Sequence, residues 1–468
     1  MQAHIRDFAG KRVHMIGIGG SSMSGLAELL LKRGYVVSGT DRDEGYMIEL
    51  LRKQGANVSV GHNPEAVEGA DIVVYTAAIA KDNPELARAE ELSIPTLTRA
   101  ELLGQLMQGH EQSVGVCGAH GKTTTSAMLA QALIGAGLNP TVHLGGRFDA
   151  IGGSTRVGGE KLFVAEACEF QASFLQLRPT VAVVLNIDAD HLDYYRDIDH
   201  IQETFEQFAA LLPEDGTIIG NGDDPRVREL MSRAKCNTAS FGLDERNDWH
   251  PGDLHMDERG RPRFKVIRDG EHIADLALEV YGKFSVYNAL GALAAAVCIG
   301  ADPMRAADAL NAFQPVHRRF EITGTVDGVT LVHDYGHNPV EMRNALGVAA
   351  LQPHNRLWAV MQPHTYSRVK RLFNDYIHCC DDADFVLVTD IYAAREADPG
   401  DINSAMLVKA MRDAGVDAHH TPTFDDTESF LRKRWQPGDM ALTMGCGNIN
   451  LLNAQIQAHG NASAAHSL

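Results

Sequence analysis

The sequence predicts an α/β protein built on mostly parallel sheets, and three observations carry that expectation. Apolar runs of strand length recur and turn polar only at their C-terminal ends, as at residues 70–76, 162–169 and 181–193; this is the pattern of strands buried on both faces of a parallel sheet. Two of the runs pass through glycine-rich turns directly into helices, at residues 12–33 and 114–136, where helix N-termini offer N–H groups to an anion. At 468 residues the chain has room for two to four domains, and the elements group into three successive α/β units.

Composition narrows the function classes. Hydrophobic residues make up 44% and charged residues 22%, with a net charge of −19. An acidic surface disfavours a nucleic-acid backbone as principal partner, but leaves room for a small anionic substrate in a local basic pocket. The 7 cysteines form no C-x-x-C pair, which argues for thiols rather than a disulfide frame or zinc site. No secretory signal core and no uncharged apolar run of membrane-spanning length is visible, so a cytoplasmic protein without a membrane partner is expected.

The chain is organised around Val114-Gly115-Val116-Cys117-Gly118-Ala119-His120-Gly121-Lys122-Thr123-Thr124-Thr125. It reads as a buried strand, a tight turn and a helix start. Glycines allow close approach of backbone to phosphate, Lys122 adds a point charge, and the Thr123 hydroxyl suits a magnesium ion. Relative to G-x-x-x-x-G-K-[ST] the match is a shorter form, because Val116 stands where the first glycine would fall.

Upstream, residues 12–41 read as a βαβ opening: a strand at 12–17, a turn through Gly17, Gly19, Gly20, Ser21, Ser22, Met23, Ser24 and Gly25, a helix from Leu26 to Arg33, and a second strand ending at Asp41. Ser22 replaces the third glycine of a dinucleotide fingerprint, so either a nicotinamide dinucleotide or a nucleotide sugar fits this Rossmann-like pattern. His62, Ala77 and Ile79 fall at or just beyond later strand ends.

In the central unit, two strands end in Glu166 and Glu169 and in Asn186, Asp188, Asp190 and His191. Strand C-termini gather on one edge of a doubly wound sheet, so Lys122, Thr123, Glu166 and His191 are expected around one phosphate–magnesium centre. Residues 244–262 read as a polar surface hairpin or loop, and a helix opens near Tyr281 and carries Asn288. In the last unit, strands at 329–334, 356–361, 385–390 and 440–444 end in polar turns holding Asp334, His337, His364 and Arg368. The expected boundaries are residues 1–109, 110–316 and 317–458, with a disordered tail at 459–468.

Taken in order, Gly17-Ile18-Gly19-Gly20, Ser38-Gly39-Thr40-Asp41, Gly118 to Thr124, Glu166-Ala167-Cys168-Glu169, Asn186 to His191, His317-Arg318-Arg319-Phe320, Asp334-Tyr335-Gly336-His337, Gln362-Pro363-His364 through Arg368 and Asp390 to Glu396 resemble the Mur ligase family of peptidoglycan synthesis. The resemblance spans roughly residues 11–457. It implies a Rossmann-like N-terminal domain for a UDP-sugar, a P-loop ATPase-like central domain and a Rossmann-like C-terminal domain for an amino acid.

By that resemblance, Gly17, Gly19, Gly20, Ser21, Ser22, Met23, Ser24, Asp41, His62, Ala77 and Ile79 bind the UDP-sugar. Gly118, Ala119, His120, Gly121, Lys122, Thr123, Thr124, Asn288 and Arg319 bind ATP; Thr123, Glu166 and His191 hold Mg2+; His337, His364 and Arg368 take the amino acid; Lys122, His191, Asp334, His337 and Arg368 serve catalysis. The implied reaction joins L-alanine to the lactyl carboxylate of UDP-N-acetylmuramate through an acyl phosphate, in a monomer or homodimer. Other members carry a carbamylated lysine after the Asp-His motif, and no lysine occurs between His191 and Leu212, which favours the alanine-adding type. Phe284 and Ser285 depart from the family's His-Asn pair near adenine. The alternatives are a related ligase using another amino acid or a recycled peptide, a UDP-sugar-binding paralogue without activity, and a nicotinamide dehydrogenase built on the first glycine turn.

Overall fold

The structure, a computed structural model, describes residues 3–76, 79, 82–191, 194–394 and 396–465. The chain forms two compact units, Met1–His255 with Pro262–Gln314, and Met256–Arg261 with Pro315–Leu468.

The first unit holds two sheets. Strands β1 (Arg12–Ile16), β2 (Val36–Asp41), β3 (Asn57–Val60), β4 (Ile72–Tyr75) and β5 (Thr96–Thr98) pair in parallel in the order β3-β2-β1-β4-β5. The order reverses between β1 and β4, so the turn after β1 opens at the crevice where such sheets bind ligands. Val13, Met15, Ile16, Val37, Val73 and Val74 are fully buried, each worth roughly 1.5–3 kcal/mol on folding. Gly39 on β2 is required sterically: a Cβ there would lie 2.5 Å from the Met15 carbonyl oxygen. The helix after β1 spans Ser21–Lys32, beginning five residues before the Leu26 start read from sequence, because Gly20 already takes the cap position. Gly34, at φ +82°, follows its end.

The second sheet of this unit comprises β6 (Gln112–Cys117), β7 (Thr141–Phe148), β8 (Gly153–Arg156), β9 (Leu162–Glu166), β10 (Val181–Val184), β11 (Thr217–Asn221), β12 (Asn237–Phe241), β13 (Trp249–Met256), β14 (Pro262–Arg268) and β15 (Glu271–Ala277). Its order is β15-β14-β13-β12-β11-β10-β6-β9-β7-β8. The P-loop strand β6 thus lies between β10 and β9, both parallel to it, and their three C-terminal ends face one edge. The helix Lys122–Gly135 is buried along most of its length and packs on Lys283–Cys298 and Pro303–Asn311. The region 244–262, read from sequence as a surface hairpin or loop, contributes β13, which turns through residues 257–261 into the adjacent strand β14 and so extends the sheet.

The helix Arg99–Met107 ties the two sheets together. Thr98 and Glu101 form a reciprocal capping box at its start. At Gly104 the helix lies so close to the chain at Gln176 that a Cβ would overlap the Gln176 carbonyl oxygen.

The second unit has one sheet of β16 (Glu321–Val326), β17 (Val329–Asp334), β18 (Leu357–Met361), β19 (Phe385–Val388), β20 (Ala418–His420) and β21 (Met440–Met444), ordered β16-β17-β21-β18-β19-β20, with only β16 antiparallel. Trp358, Val360, Leu387 and Leu442 are fully buried. The last helix spans Asn450–Ala465 and so runs past 459, where the sequence reading began a disordered tail; Ile456 is held in the core, and helical pairing continues from there.

Candidate active site

The P-loop turn is shaped by two glycines in the left-handed region, Gly118 at φ +140° and Gly121 at φ +87°. A Cβ on Gly121 would lie 2.7 Å from Asn288 Oδ1, which also accepts the Thr125 hydroxyl at 3.2 Å. Asn288 therefore braces the turn from the neighbouring helix. Opposite it, Asn186 exchanges hydrogen bonds with the His120 backbone, accepting its N–H at 2.9 Å and donating to its carbonyl at 3.1 Å. Asn186 stands just beyond β10, so the end of that strand fixes the loop.

Lys122 donates to the Gly118 and Ala119 carbonyls at 2.6 and 3.2 Å and to Glu169 Oε1 at 2.8 Å. Burial alone would lower its pKa; Glu169 outweighs this and holds the ammonium above its ordinary value. Thr123 Oγ1 donates to Glu166 Oε2 at 3.1 Å, and Glu166 Oε1 accepts from the Gly145 N–H on β7 at 2.5 Å. Glu169, Asp190 and His191 bring one ligand-type atom each to within 4.8 Å of one another. Glu169 Oε2 is buried without a hydrogen-bond partner among the described residues. His191 lies at φ +52°, an uncommon backbone state that turns its ring toward Glu169, 3.7 Å away.

At the N-terminal sheet, the glycine turn is held from within. Gly17 N–H and Ile18 N–H donate to the Thr40 carbonyl, and Gly19 N–H donates to Asp41 Oδ2 at 2.8 Å. Met23 and Ser24 are buried, and the Ser24 hydroxyl donates to the Ser21 carbonyl. Ser22 Oγ meets His143 Nε2 at 2.8 Å and accepts from Arg99 Nη1 at 3.1 Å. His143 is on β7, two residues from Gly145, and burial pushes its pKa down to about 3, so it is a neutral ring at physiological pH. His62 lies beside Glu85 and Asn83, each at 3.2 Å. Ile79 is half-buried against the core that includes Ile16 and Val73, and Ala77 lies outside the described residues.

In the second unit, His337 and His364 are edge-to-face with centroids 5.8 Å apart, and His364 stacks on Tyr392 at 5.8 Å. Arg368 Nη1 lies 3.2 Å from His364 Nδ1. Asp334 closes the turn: its oxygens accept the Phe320 N–H at 2.8 Å and the Gly336 N–H at 2.6 Å. Burial raises its pKa, with Arg319 opposing. Arg319 lies over the Tyr335 ring at 4.9 Å.

Residues 12–111 match the Mur ligase family catalytic domain, 116–296 the Mur ligase middle domain, and 318–447 the Mur ligase glutamate ligase domain. A UDP-N-acetylmuramate–L-alanine ligase of Caldanaerobacter subterraneus subsp. tengcongensis is 45% identical over 439 residues, covering 94% of this chain and 95% of the relative. The chain belongs to the Mur ligase family. Among solved structures, the UDP-N-acetylmuramate-alanine ligase of Thermotoga maritima superposes with TM-score 0.83 at 26% identity, covering 97% of this chain and all of that one. The UDP-N-acetylmuramate:L-alanyl-gamma-D-glutamyl-meso-diaminopimelate ligase of Neisseria meningitides superposes with TM-score 0.61 at 30% identity, covering 66% of this chain and 99% of that one.

Within this Mur ligase chain, three predicted groupings are resolved differently from one another. Lys122, Thr123 and Glu166 come together at the P-loop. His191 stands beside Glu169 and Asp190, two carboxylates that the sequence reading left out of the site, although the Glu166-Ala167-Cys168-Glu169 spacing just past a strand was the signal for the first of them. His337, His364 and Arg368 gather in the second unit. His143 and Arg99 carried no motif signal: His143 lies inside β7, and Arg99 follows only the short strand β5, whose Thr-Leu-Thr sequence is not an apolar run. Asp41, expected to meet ligand, holds the Gly19 N–H, and Met23 and Ser24 offer backbone rather than side chains. Phe284 is exposed and Ser285 is buried on the Tyr281 carbonyl. No helix among the described residues is long and apolar enough to cross a membrane.

Proposed function

We propose that this chain catalyses ATP-dependent ligation of L-alanine to the lactyl carboxylate of UDP-N-acetylmuramate, a step in peptidoglycan precursor synthesis. The observation that carries the reading is one strand serving two nucleotide-type turns. On β7, His143 meets Ser22 of the glycine turn, and Gly145 holds Glu166, the partner of P-loop Thr123. A dehydrogenase would leave the P-loop half of this arrangement without a role. The curated relative's name supplies the amino acid.

The backbone N–H groups from Gly17 to Ser24 suit the UDP diphosphate, with His62, Ala77 and Ile79 assigned to the rest of the sugar nucleotide. Gly118 to Thr124, with Asn288 and Arg319, are assigned to ATP. The donor set fits Mg2+: Thr123 and Glu166 supply hard oxygens 3.1 Å apart, the ligand type this ion prefers, and His191, assigned to the same ion, stands beside Glu169 and Asp190. Such an ion, when bound, neutralises phosphate charge. The lactyl carboxylate attacks the γ-phosphorus, the bond to the β–γ bridging oxygen breaks, and ADP leaves. Lys122 offsets the charge that builds during this transfer. The neutral amine of alanine then attacks the acyl carbon and inorganic phosphate departs. We assign Arg368 to the alanine carboxylate and His337, beside His364, to the amine proton. Asp334 is the weaker choice of base because both of its oxygens already accept backbone N–H groups.

The deciding experiment is phosphate release from ATP and Mg2+ with UDP-N-acetylmuramate, with and without L-alanine. The expected result is alanine-dependent release and a gain of one alanyl residue in the mass of the sugar nucleotide. Release only with a peptide acceptor would move the assignment to the peptide-adding type, and no release with any acceptor, despite UDP-sugar binding, would reduce the chain to a binding protein.

A further inference from the structure

Arg99 is the first residue of the helix Arg99–Met107. A cation there opposes the helix dipole, which favours negative charge in a first turn, so local helix chemistry does not explain it. The residue is half-buried. In a chain of net charge −19, it has Ser22 as its hydrogen-bond partner and no carboxylate partner among the described residues. Arg99 also lines a narrow cleft with Glu166, Cys168 and Ser173. It therefore stands between the glycine turn, through Ser22, and the P-loop centre, through the cleft that Glu166 shares. The approach of this helix is fixed by Gly104, which has no room for a side chain. Glu166 is turned toward Gly145 and Thr123, and neutral His143 does not compete for an anion.

We propose that Arg99 binds the reacting carboxylate of the sugar nucleotide and presents it to the P-loop centre. This rests on the reading of the substrate as UDP-N-acetylmuramate. A guanidinium takes a carboxylate or an acyl phosphate through parallel N–H donors, so the same group holds the substrate before transfer and the mixed anhydride after it. The diphosphate is left to the backbone N–H groups at the helix start.

The test compares UDP-N-acetylmuramate with UDP-N-acetylglucosamine, which has the same diphosphate but no lactyl group, and with UDP, by calorimetric titration of the full chain. For Arg99→Ala, affinity for UDP-N-acetylmuramate should fall tenfold or more, while affinities for the other two stay within twofold. In kinetics, KM for UDP-N-acetylmuramate should rise with KM for ATP unchanged, and Arg99→Lys should recover part of the loss. Arg99→Gln, with an unchanged melting curve, keeps the test valid if the alanine variant folds poorly. Equal weakening of all three ligands would assign Arg99 to the diphosphate and overturn the proposal, as would no weakening at all. A wild-type protein that binds no UDP-N-acetylmuramate would instead overturn the function on which the proposal rests.

Discussion

Lys122 Nζ lies 2.8 Å from Glu169 Oε1, in an ion pair whose side chains are 16% and 3% exposed. The pair couples the P-loop helix to the segment after β9 and keeps the lysine charged at the turn where phosphate is expected. Glu169 also has its backbone carbonyl engaged by the Tyr195 hydroxyl, so the acid is fixed from two directions.

Removing the cation should cost both activity and stability. Lys122→Ala is expected to lower kcat by about 10²–10³-fold or more, the scale of losing one preorganised electrostatic contact, with UDP-sugar binding retained. It also strands Glu169, at a cost of about 3–5 kcal/mol. Calorimetric titration and denaturant melts check the two effects. The double variant Lys122→Ala/Glu169→Gln should recover part of the stability and none of the turnover. Near-normal turnover in Lys122→Ala would remove the P-loop from the reaction.

Gly104→Ala should destabilise the first unit. The obstacle is the Gln176 backbone oxygen, which no rotamer change can clear, so an overpacking cost of about 1–3 kcal/mol is expected. Differential scanning fluorimetry should show a lowered melting temperature. An unchanged melt would mean that the helix and the Gln176 segment separate freely.

Glu85 is fully buried between His14, Thr40 and His62. Burial alone would raise its pKa, but hydrogen bonds from His14 and Thr40 outweigh it and hold the carboxyl below its ordinary value. A depressed folded-state pKa contributes stability that is complete above the unfolded value, about 4.3, and is lost as pH falls through the folded value. Denaturant melts from pH 7 to pH 3 should therefore show an acid-side loss that Glu85→Gln diminishes, alongside a lower plateau near pH 7. An unaltered acid limb would exclude this carboxyl as its source.

Arg368→Lys tests the amino-acid assignment. A point charge does not replace a fork of planar donors, so KM for L-alanine should rise about tenfold, equivalent to about 1.4 kcal/mol, with KM for ATP unchanged. His337→Asn should act mainly on kcat, if the ring takes the amine proton. Steady-state kinetics with each substrate varied in turn separates the two patterns. A rise in all KM values together would point to misfolding of the second unit.

Much of this architecture is legible in the chain because buried parallel strands leave a simple mark: β10, β18 and β19 are uninterrupted apolar runs whose polar residues begin where the strand ends. Strand β7 leaves no such mark. Residues Thr141–Phe148 contain a histidine, two glycines and an arginine, and it is pairing with β8 and β9 and packing against the neighbouring helices that makes them extended and most of them buried. His143 was invisible for the same reason. Glu169 and Asp190 were visible as residues but not as neighbours, because the turn at His191 that brings them together depends on a backbone state sequence does not announce. Asp334 was legible in place and not in partnership, since one of its hydrogen bonds comes from Phe320, 14 residues away, just before the neighbouring strand β16.

Strand β7 has a thermodynamic consequence. Ser22 bears on it at His143 and Glu166 at Gly145, two residues or roughly 7 Å apart along an extended chain. A compound lodged against Ser22 that displaces the imidazole is expected to disturb the amide that orients Glu166, and its occupancy should then register as a changed apparent affinity for the triphosphate. Reciprocity then requires the triphosphate to alter the affinity for that compound by the same factor, and inhibitors of the two turns are to be measured in pairs rather than singly.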